Sequence, residues 1–331
     1  MLKLDEKKIR KGKPFGLPYQ GSKKKISKKI VEIIKQNFGT DKKIYDIFGG
    51  GGAITAECML NNLEVHYNDL NNDVTDMFKR VITQDREWLK TLIISREEFL
   101  KIKTKTNKTV DDNIKLLVNS FGNNSISFLY NIELSDIKYK LAVEIINKHD
   151  VFSGYKQTDT YKETCLLCEE EKLGKIGNLQ RLQQLEQLQR LQQLERLQQL
   201  EQLERLEATN LDYKAFSNVD GAIFYLDPPY EMTSQHSYIG DTFDSQLFYD
   251  WAYEMSKENI VIVSSYEISD DRFKCVYEFK TARSTMQGGS ACGKTEKLFM
   301  VVWLTVESIF IMQKRTTTAA LMLVILIQVL Q

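Results

Sequence analysis

The chain has 331 residues, 42% of them hydrophobic, which is enough to bury a sizeable core in one elaborated domain or two modest ones. Its 45 Lys and Arg residues balance 45 Asp and Glu residues, so the formal net charge is zero. This balance excludes a protein that binds polyanions through its overall charge, and any interaction with nucleic acid has to rest on motifs and local basic patches.

Five scattered cysteines and an opening without a secretory signal indicate a reducing, cytoplasmic environment. Cys165 and Cys168 form a lone CxxC with no second pair at zinc-ligand spacing, so no metal site is expected. The longest apolar run, 319–330, is shorter than the ~20 residues that a transmembrane helix needs. We therefore expect no association with a membrane.

The first 84 residues alternate helix and strand patterns. After a basic opening, isoleucines at helical spacing predict an amphipathic helix that begins near Ser22. The apolar run 43–48 ends in four glycines and predicts a buried strand with a tight turn, followed by a helix, a second strand at 64–68 and a further helix. This βαβα succession predicts a parallel sheet with helices on its faces, in which residues 1–84 form the first part of an α/β domain.

The sheet pattern is interrupted and then resumes. Residues 85–178 contain helical fragments without repeated strand–helix units and predict an inserted, mostly helical region. Residues 207–306 form the second part of the α/β domain, and residues 307–331 form a divergent tail. The elements predicted in the second part are a strand at 222–226, a helix at 245–259, a strand at 260–266 and two closing strands around 275–279 and 297–304.

A repeat of period three separates these parts at 179–206, where ten leucines alternate with Gln, Glu and Arg. Three residues turn about 300° in an α-helix, so the leucines pass around the whole circumference and a coiled-coil seam is disfavoured. The residue types favour a helix, and we predict a protruding one. Its role is either an arm for a partner or DNA, or a neutral expansion in a tolerant loop; the second is favoured.

Asp227, Pro228, Pro229 and Tyr230 directly follow the strand at 222–226, where open α/β sheets bind ligands. An amine on an aromatic ring is a poor nucleophile because its lone pair is delocalised, so its reaction needs acceptors that pull its hydrogens out of the ring plane. The Asp227 carboxylate and the Pro228 carbonyl supply two acceptors, the prolines stiffen the turn, and Tyr230 can stack on a base. The alternative is a plain strand-ending turn.

The segment from Asp46 to Gly52 follows the first strand, and its glycines permit a close approach of the backbone to a ligand. The third glycine of GxGxxG is absent, since Ile54 and Thr55 occupy its place, so a nicotinamide cofactor is disfavoured. A sulfonium cofactor carries no phosphate, and the glycines would make room for its methionine moiety. Asp69 ends the second strand, where an acidic residue accepts hydrogen bonds from ribose hydroxyls; a helix N-cap is the alternative.

Four segments, PYQGSKKKI, DIFGGGGAIT, YNDLN and YLDPPY, resemble in order and spacing the Dam-like DNA adenine methyltransferases, including phage and restriction-modification members. The resemblance runs from about Pro14 to Val302 and is weak across the middle. It implies a Rossmann-like sheet, S-adenosyl-L-methionine as the cofactor, no metal, and a target-recognition region inserted before DPPY. The implied reaction is methyl transfer to the exocyclic N6 amine of adenine in double-stranded DNA, by base flipping and direct transfer.

The resemblance also implies roles for single residues. The cofactor-binding residues would be Tyr19, Gly21, Lys23, Asp46, Phe48, Gly50, Gly52, Asp69 and Asp227. The residues that hold the target amine would be Asp227, Pro228, Pro229 and Tyr230. Residues 118–131 resemble the loop that approaches DNA in this family. The lysines of the first helix, at positions 23, 24, 25, 28 and 29, are candidates for phosphate contacts, with plain solvation as the alternative.

Two other functions stay open from the sequence. One is an RNA base methyltransferase of the same fold, since DPPY also occurs among enzymes that modify ribosomal RNA; the long insertion before DPPY favours DNA. The other is a catalytically inactive methyltransferase-like interaction protein, and the intact Asp227, Tyr230 and glycine motifs argue against it. The expected setting is a monomer in the cytoplasm of a bacterium or a phage-infected host.

Overall fold

The computed structural model describes residues 1–19, 21–170, 184–200, 206–231, 243–283 and 295–301. The predicted tail at 307–331 and both ends of the leucine repeat, 179–183 and 201–205, lie outside these residues. The α-helices of the described part are α1 (Ser27–Phe38), α2 (Ala53–Leu60), α3 (Asn72–Thr83), α4 (Arg86–Lys90), α5 (Arg96–Lys103), α6 (Val110–Val118), α7 (Ile132–His149), α8 (Asp159–Glu170), α9 (Glu186–Gln198) and α10 (Ser245–Met255).

The strands are β1 (Ile44–Asp46), β2 (Val65–Asn68), β3 (Glu207–Thr209), β4 (Ile223–Leu226), β5 (Ile260–Ser265), β6 (Phe273–Arg283) and β7 (Thr295–Val301). Short 3-10 helices lie at Glu6–Lys8, Lys23–Lys25, Phe121–Asn123, Tyr155–Gln157 and Tyr213–Phe216. Each predicted strand is present, and β3 is an additional one. The expectation of a mixed α/β fold is confirmed.

The seven strands form one sheet in the order β3-β2-β1-β4-β5-β7-β6. β1 pairs in parallel with β2 on one side and with β4 on the other, Ile44 lying opposite both Val65 and Ile223. The chain moves outward to β2 and β3 in one direction and to β5 in the other, so the order switches between β1 and β4. Ligands of open α/β sheets bind at the carboxyl ends of the strands at such a point.

The local sequence explains where the first elements begin and end. Ser22 caps the 3-10 turn Lys23–Lys25, and the α-helix itself starts only at Ser27, because Ile26, with a φ of −124° and a ψ of −4°, lies outside the helical region. Gly39, with a φ of 87°, ends α1 in a conformation that glycine adopts without strain. All four residues of β4 are buried, as a continuous apolar run in a parallel sheet requires.

Helices α4 to α9 lie between α3 and β3 in the chain and do not form a separate core. Leu89 of α4 and Leu117 of α6 belong to the same buried cluster as Ile30 and Tyr67 beside the sheet. A smaller satellite cluster lies between α5 and the loop that follows α6, and includes Phe99. The predicted helical character of 85–178 is therefore present, and this part of the chain packs directly on the α/β domain.

The leucine repeat differs most from its prediction. Its helix is present as α9, but the helix does not protrude: six leucines, Leu185, Leu188, Leu191, Leu194, Leu197 and Leu200, are at most 4% exposed. α9 contacts α3, α4 and α6. A helix that carries leucine around its whole circumference is suited to a place enclosed by other elements. The interpretation of this repeat as a neutral expansion in a tolerant loop is wrong for 185–200.

None of the helices in the described part of the chain combines the length and the apolar character needed to cross a membrane.

Candidate active site

The sheet brings three motifs to one edge. β1 leads into the glycine turn at 49–52, β2 is followed by Asp69, and β4 is followed by Asp227. Because β1 pairs in parallel with both β2 and β4, the carboxyl ends of the three strands open at the switch point. Residues that are far apart in the chain thus lie around one site.

Asp227 lies in a cluster of polar side chains. Its Oδ2 is 2.8 Å from the Nζ of Lys23, and its Oδ1 accepts a hydrogen bond from the Tyr230 hydroxyl at 3.0 Å. Lys23 Nζ also lies 5.1 Å from the centre of the Tyr230 ring, a cation–π contact. Each carboxylate oxygen has two lone pairs, so Asp227 retains capacity to accept hydrogens from an amine.

Burial shifts the pKa values of this cluster. Burial raises the pKa of Asp227 to about 6. The charge of Lys23 opposes this shift, and the charge of Glu296 adds to it. Burial acts to lower the pKa of Lys23, but the charges of Asp227 and Glu296 outweigh it, and the pKa is raised. Burial raises the pKa of Tyr230 well above its usual value. At neutral pH Lys23 is a cation, Asp227 is largely ionised and Tyr230 is a neutral phenol.

The two prolines and a second tyrosine complete the turn after β4. Pro228 and Pro229 are buried, whereas Tyr230 is only half-buried. The ring of Tyr266 meets the Tyr230 ring edge-to-face, with the ring centres 4.8 Å apart. The turn is thus rigid and leaves part of one aromatic ring exposed at the edge of the sheet.

The glycine turn is shaped by the protein's own aromatic side chains. Gly52 has a φ of 68°, and a Cβ at this position would lie 2.2 Å from the ring of Phe78. A Cβ on Gly49 would lie 2.3 Å from the ring of Tyr67. The predicted reason for these glycines, room for a ligand, is incomplete, because Phe78 and Tyr67 occupy the space at two of the four positions.

Asp46 is only 1% exposed, and its Oδ2 accepts hydrogen bonds from the backbone amide of Thr55 at 3.1 Å and from its hydroxyl at 2.7 Å. Burial raises the pKa of Asp46 to about 7, while the two bonds from Thr55 lower it. Through these bonds Asp46 fixes the start of α2 against the end of β1. Its predicted contact with a cofactor stays a prediction.

Asp69 connects the glycine turn to the loop after β2. Its Oδ2 accepts from the amide of Gly50 at 2.8 Å, and its Oδ1 accepts from the amide of Asn71 at 2.9 Å. Burial raises the pKa of Asp69, and these two backbone bonds lower it. The N-cap of α3 is Asn71, whose side chain accepts from the amide of Asp73, so the alternative that Asp69 caps this helix is wrong.

The segment before α1 lies against the glycine turn. The amide of Leu17 donates to the carbonyl of Gly51 at 2.8 Å, and the ring of Tyr19 lies 3.2 Å from where a Cβ on Gly50 would stand. Gly21, with a φ of 76°, has open space around it. On the other side of the turn Phe48 packs on Phe248, with the ring centres 5.6 Å apart. Of the predicted cofactor residues, Tyr19, Asp46, Phe48 and Asp69 therefore adjoin the turn that contains Gly50 and Gly52.

The predicted phosphate-binding lysines have different surroundings. Lys23 pairs with Asp227, and Lys24 donates to the side chain of Gln193 at 2.6 Å, so both are turned into the protein. Burial, together with the charges of Arg190 and Arg196, lowers the pKa of Lys24 to about 8. Lys25 is exposed. The candidate phosphate contacts of these lysines stay a prediction, and Lys25 is the most exposed of the three.

A model of the D12 class N6 adenine-specific DNA methyltransferase family matches residues 19–277, which is well over half of the chain. The chain belongs to this family. This methyltransferase modifies the N6 amine of adenine in DNA, and the RNA and inactive alternatives are not favoured. Its mixed α/β architecture is consistent with a methyltransferase fold. A comparison with curated proteins gave no match.

Use of S-adenosyl-L-methionine follows from the family, and the groups at the site fit a cationic sulfonium. Carboxylates of Asp46, Asp69 and Asp227 surround the turn, and Lys23 is paired with Asp227. Such a set favours a cation over a phosphate. Among the residues that the structure describes, no group of three or more His, Cys, Asp or Glu side chains is arranged to hold a metal ion.

Glu296 of the methyltransferase was not among the residues predicted for the site. It is the second residue of β7 and 6% exposed, and it accepts hydrogen bonds from Tyr230 and Ser264. β7 runs antiparallel to β5, so its first residues come out at the edge where the parallel strands end. The available signal was an acidic residue at the start of the predicted closing strand. It would have indicated a site residue only if the direction of that strand had been known.

Proposed function

We propose that this methyltransferase carries out methyl transfer at the switch point between β1 and β4, on an adenine rotated out of duplex DNA, with S-adenosyl-L-methionine as the methyl donor. The observation that carries the proposal is the position of Asp227 directly after β4, 2.8 Å from Lys23 and beside the turn after β1. An N6 amine inside a base pair is inaccessible, so the base has to leave the stack.

Asp227 and Pro228 would act on the target amine. The Asp227 carboxylate and the Pro228 carbonyl accept its two hydrogens, which draws the nitrogen lone pair out of conjugation with the ring. These acceptors also match the positive charge that grows on the nitrogen during transfer, so they stabilise the transition state more than the ground state. Pro229 keeps the turn stiff, and the exposed part of the Tyr230 ring stacks on the flipped base.

The cofactor residues would be those around the glycine turn. When bound, S-adenosyl-L-methionine supplies a methyl group activated by a cationic sulfur. Asp69 has lone pairs left for ribose hydroxyls, Tyr19 and Phe48 provide aromatic walls, and Asp46 holds the turn in place. Gly21, Gly50 and Gly52 would allow a close approach of the backbone, and Lys23 would complete the enclosure between cofactor and target.

The helical region at 85–178 would recognise the target sequence, with the loop 118–131 nearest to DNA. Phe121 and Ile126 of this loop are 66% and 60% exposed, so both apolar side chains are accessible to a ligand. Apolar side chains of DNA-distorting proteins insert between base steps. Such an insertion would help to fill the stack from which the adenine has left.

The test is methyl transfer from labelled S-adenosyl-L-methionine to duplex DNA, single-stranded DNA and RNA in parallel, with identification of the product nucleoside. We expect N6-methyladenine in duplex DNA. Asp227→Ala should lower kcat by about a thousandfold at saturating cofactor.

Asp220→Ala is the matched control, because Asp220 is exposed and lies just before β4. It should methylate at the wild-type rate. An active Asp227→Ala enzyme would contradict the assignment of Asp227 as the amine acceptor. Methyl transfer to single-stranded DNA but not to duplex DNA would contradict the base-flipping step.

A further inference from the structure

Glu296 is a buried carboxylate beside the proposed amine acceptor. Its Oε1 accepts from Ser264 Oγ at 2.8 Å and from the Tyr230 hydroxyl, and its Oε2 lies 3.9 Å from Lys23 Nζ. Tyr230 and Lys23 are also the two partners of Asp227. Tyr230 has a single hydroxyl hydrogen, so the two carboxylates compete for one donor, and both lie near one ammonium group.

If only the stability of the folded protein mattered, this sharing of partners by two carboxylates would be unfavourable. Two buried carboxylates repel each other, and one lysine balances only one of the two charges. A glutamine of the same size could accept from Ser264 and Tyr230 without this repulsion. The arrangement therefore adds negative charge next to Asp227 that the packing of β7 does not require.

We infer that Glu296 is a positioning residue for methyl transfer: it fixes the Tyr230 ring through its hydroxyl and shares Lys23 with Asp227, so that Asp227 remains a strong acceptor for the amine. This inference rests on the proposed function of Asp227. The amine hydrogens become more acidic as the methyl group is transferred, and a more basic carboxylate then binds them more strongly than it does in the ground state.

The effect of the Glu296 charge on the pKa of Asp227 supports this inference. Burial raises the pKa of Asp227 to about 6, and the Glu296 charge raises it while Lys23 lowers it. Removal of the Glu296 charge therefore lowers the pKa of Asp227. Because ionised Asp227 is the acceptor, the acid limb of the kcat profile should move to lower pH.

Glu296→Gln tests the inference, since the amide keeps the size of the side chain and its ability to accept from Ser264. We expect kcat on duplex DNA to fall about tenfold, the KM values for DNA and cofactor to stay within about twofold, and the acid limb to move to lower pH. Glu278→Gln is the matched control: Glu278 is exposed on the neighbouring strand β6, and its variant should match the wild type in all three quantities.

A wild-type kcat and acid limb in Glu296→Gln, together with an inactive Asp227→Ala, would overturn the inference and leave the proposed function intact. An active Asp227→Ala would instead contradict the proposed function. If Glu296→Gln does not fold, Ser264→Ala carries the test, because it removes the hydroxyl that donates to Glu296 at 2.8 Å and leaves the bond between Tyr230 and Asp227 in place. A kcat lowered about fivefold at unchanged KM supports the inference, and an unchanged kcat overturns it.

Discussion

Lys23 and Arg190 are both largely enclosed by protein in this methyltransferase, and their nearest partners differ in kind. Lys23 at the sheet edge lies between the carboxylates of Asp227 and Glu296. Arg190 of α9, 7% exposed, donates from one nitrogen, Nη1, to three backbone carbonyls at the end of α6 and just beyond it. These acceptors are the carbonyl oxygens of Leu117 at 3.2 Å, Val118 at 2.8 Å and Ser120 at 2.6 Å.

The pKa shifts of the two cations show what each kind of partner provides. Burial lowers the pKa of Arg190, and the charges of Glu186 and Tyr130 raise it without restoring its usual value. Lys23 is also buried, but the adjacent carboxylates raise its pKa. Carbonyls at the end of a helix are fixed dipoles, whereas a carboxylate can gain a proton or accept a new hydrogen bond. Arg190 therefore fits a structural role and Lys23 a reactive one.

Among the substitutions that test this comparison, Arg190→Met is expected to have the largest effect, which is on stability. Methionine fills the space but removes the donor that Arg190 provides to the carbonyls of Val118 and Ser120, so the free energy of unfolding should fall by about 3 kcal/mol. Urea denaturation measures this change. Gln189→Met on the same helix is exposed and should be neutral. Equal stability of the two variants would contradict a structural role of Arg190.

Lys23→Met should change the pH profile more than the stability. The charge of Lys23 lowers the pKa of Asp227, so its removal raises that pKa above the present value of about 6. The acid limb of kcat, which requires ionised Asp227, should move to higher pH by about one unit. This direction is opposite to that expected for Glu296→Gln.

Initial rates at saturating DNA and cofactor, over a series of pH values, measure this limb. Lys25→Met is the control, because Lys25 is exposed two positions along the same 3-10 turn. A limb that stays in place, or moves in the same direction as in Glu296→Gln, would show that Lys23 does not act on Asp227.

The smallest effect is expected from Phe121→Ser at the exposed end of the loop above Arg190. Its free energy of unfolding should stay within about 0.5 kcal/mol of the wild type, while the KM for duplex DNA rises about threefold through the lost apolar contact. Leu100→Ser on α5 is the control, since Leu100 is 47% exposed and outside the loop. An equal KM for both variants would contradict a role of the loop 118–131 in DNA binding.

The sequence predicted the strands and the motifs at their ends, because each depends on a few adjacent residues. Asp227 follows a short apolar run and precedes a proline pair, and the glycine turn follows another such run. The pairing of Lys23 with Asp227 was not predictable in this way, since it depends on how two distant segments meet. Glu296 was missed for the same reason, because its place at the edge follows from the antiparallel direction of β7.

The leucine repeat shows a different limit of sequence reasoning. The passage of the leucines around the whole circumference argued against a coiled-coil seam, and the helix-forming residue types then predicted a protruding helix. This prediction did not consider a helix enclosed by α3, α4 and α6, in which each of these leucines is buried. β3 was missed because it has three residues, of which Glu207 is exposed, and carries no apolar run.

The pairing of β1 with β4 also has a consequence for folding kinetics. Ile44 and Ile223 lie opposite each other although about 180 residues separate them, and contacts of such long range form slowly. The two carboxyl ends that make the site come together only when this pairing is complete. Methyl transfer activity should therefore be among the last properties to return during refolding, after most of the helical signal has recovered.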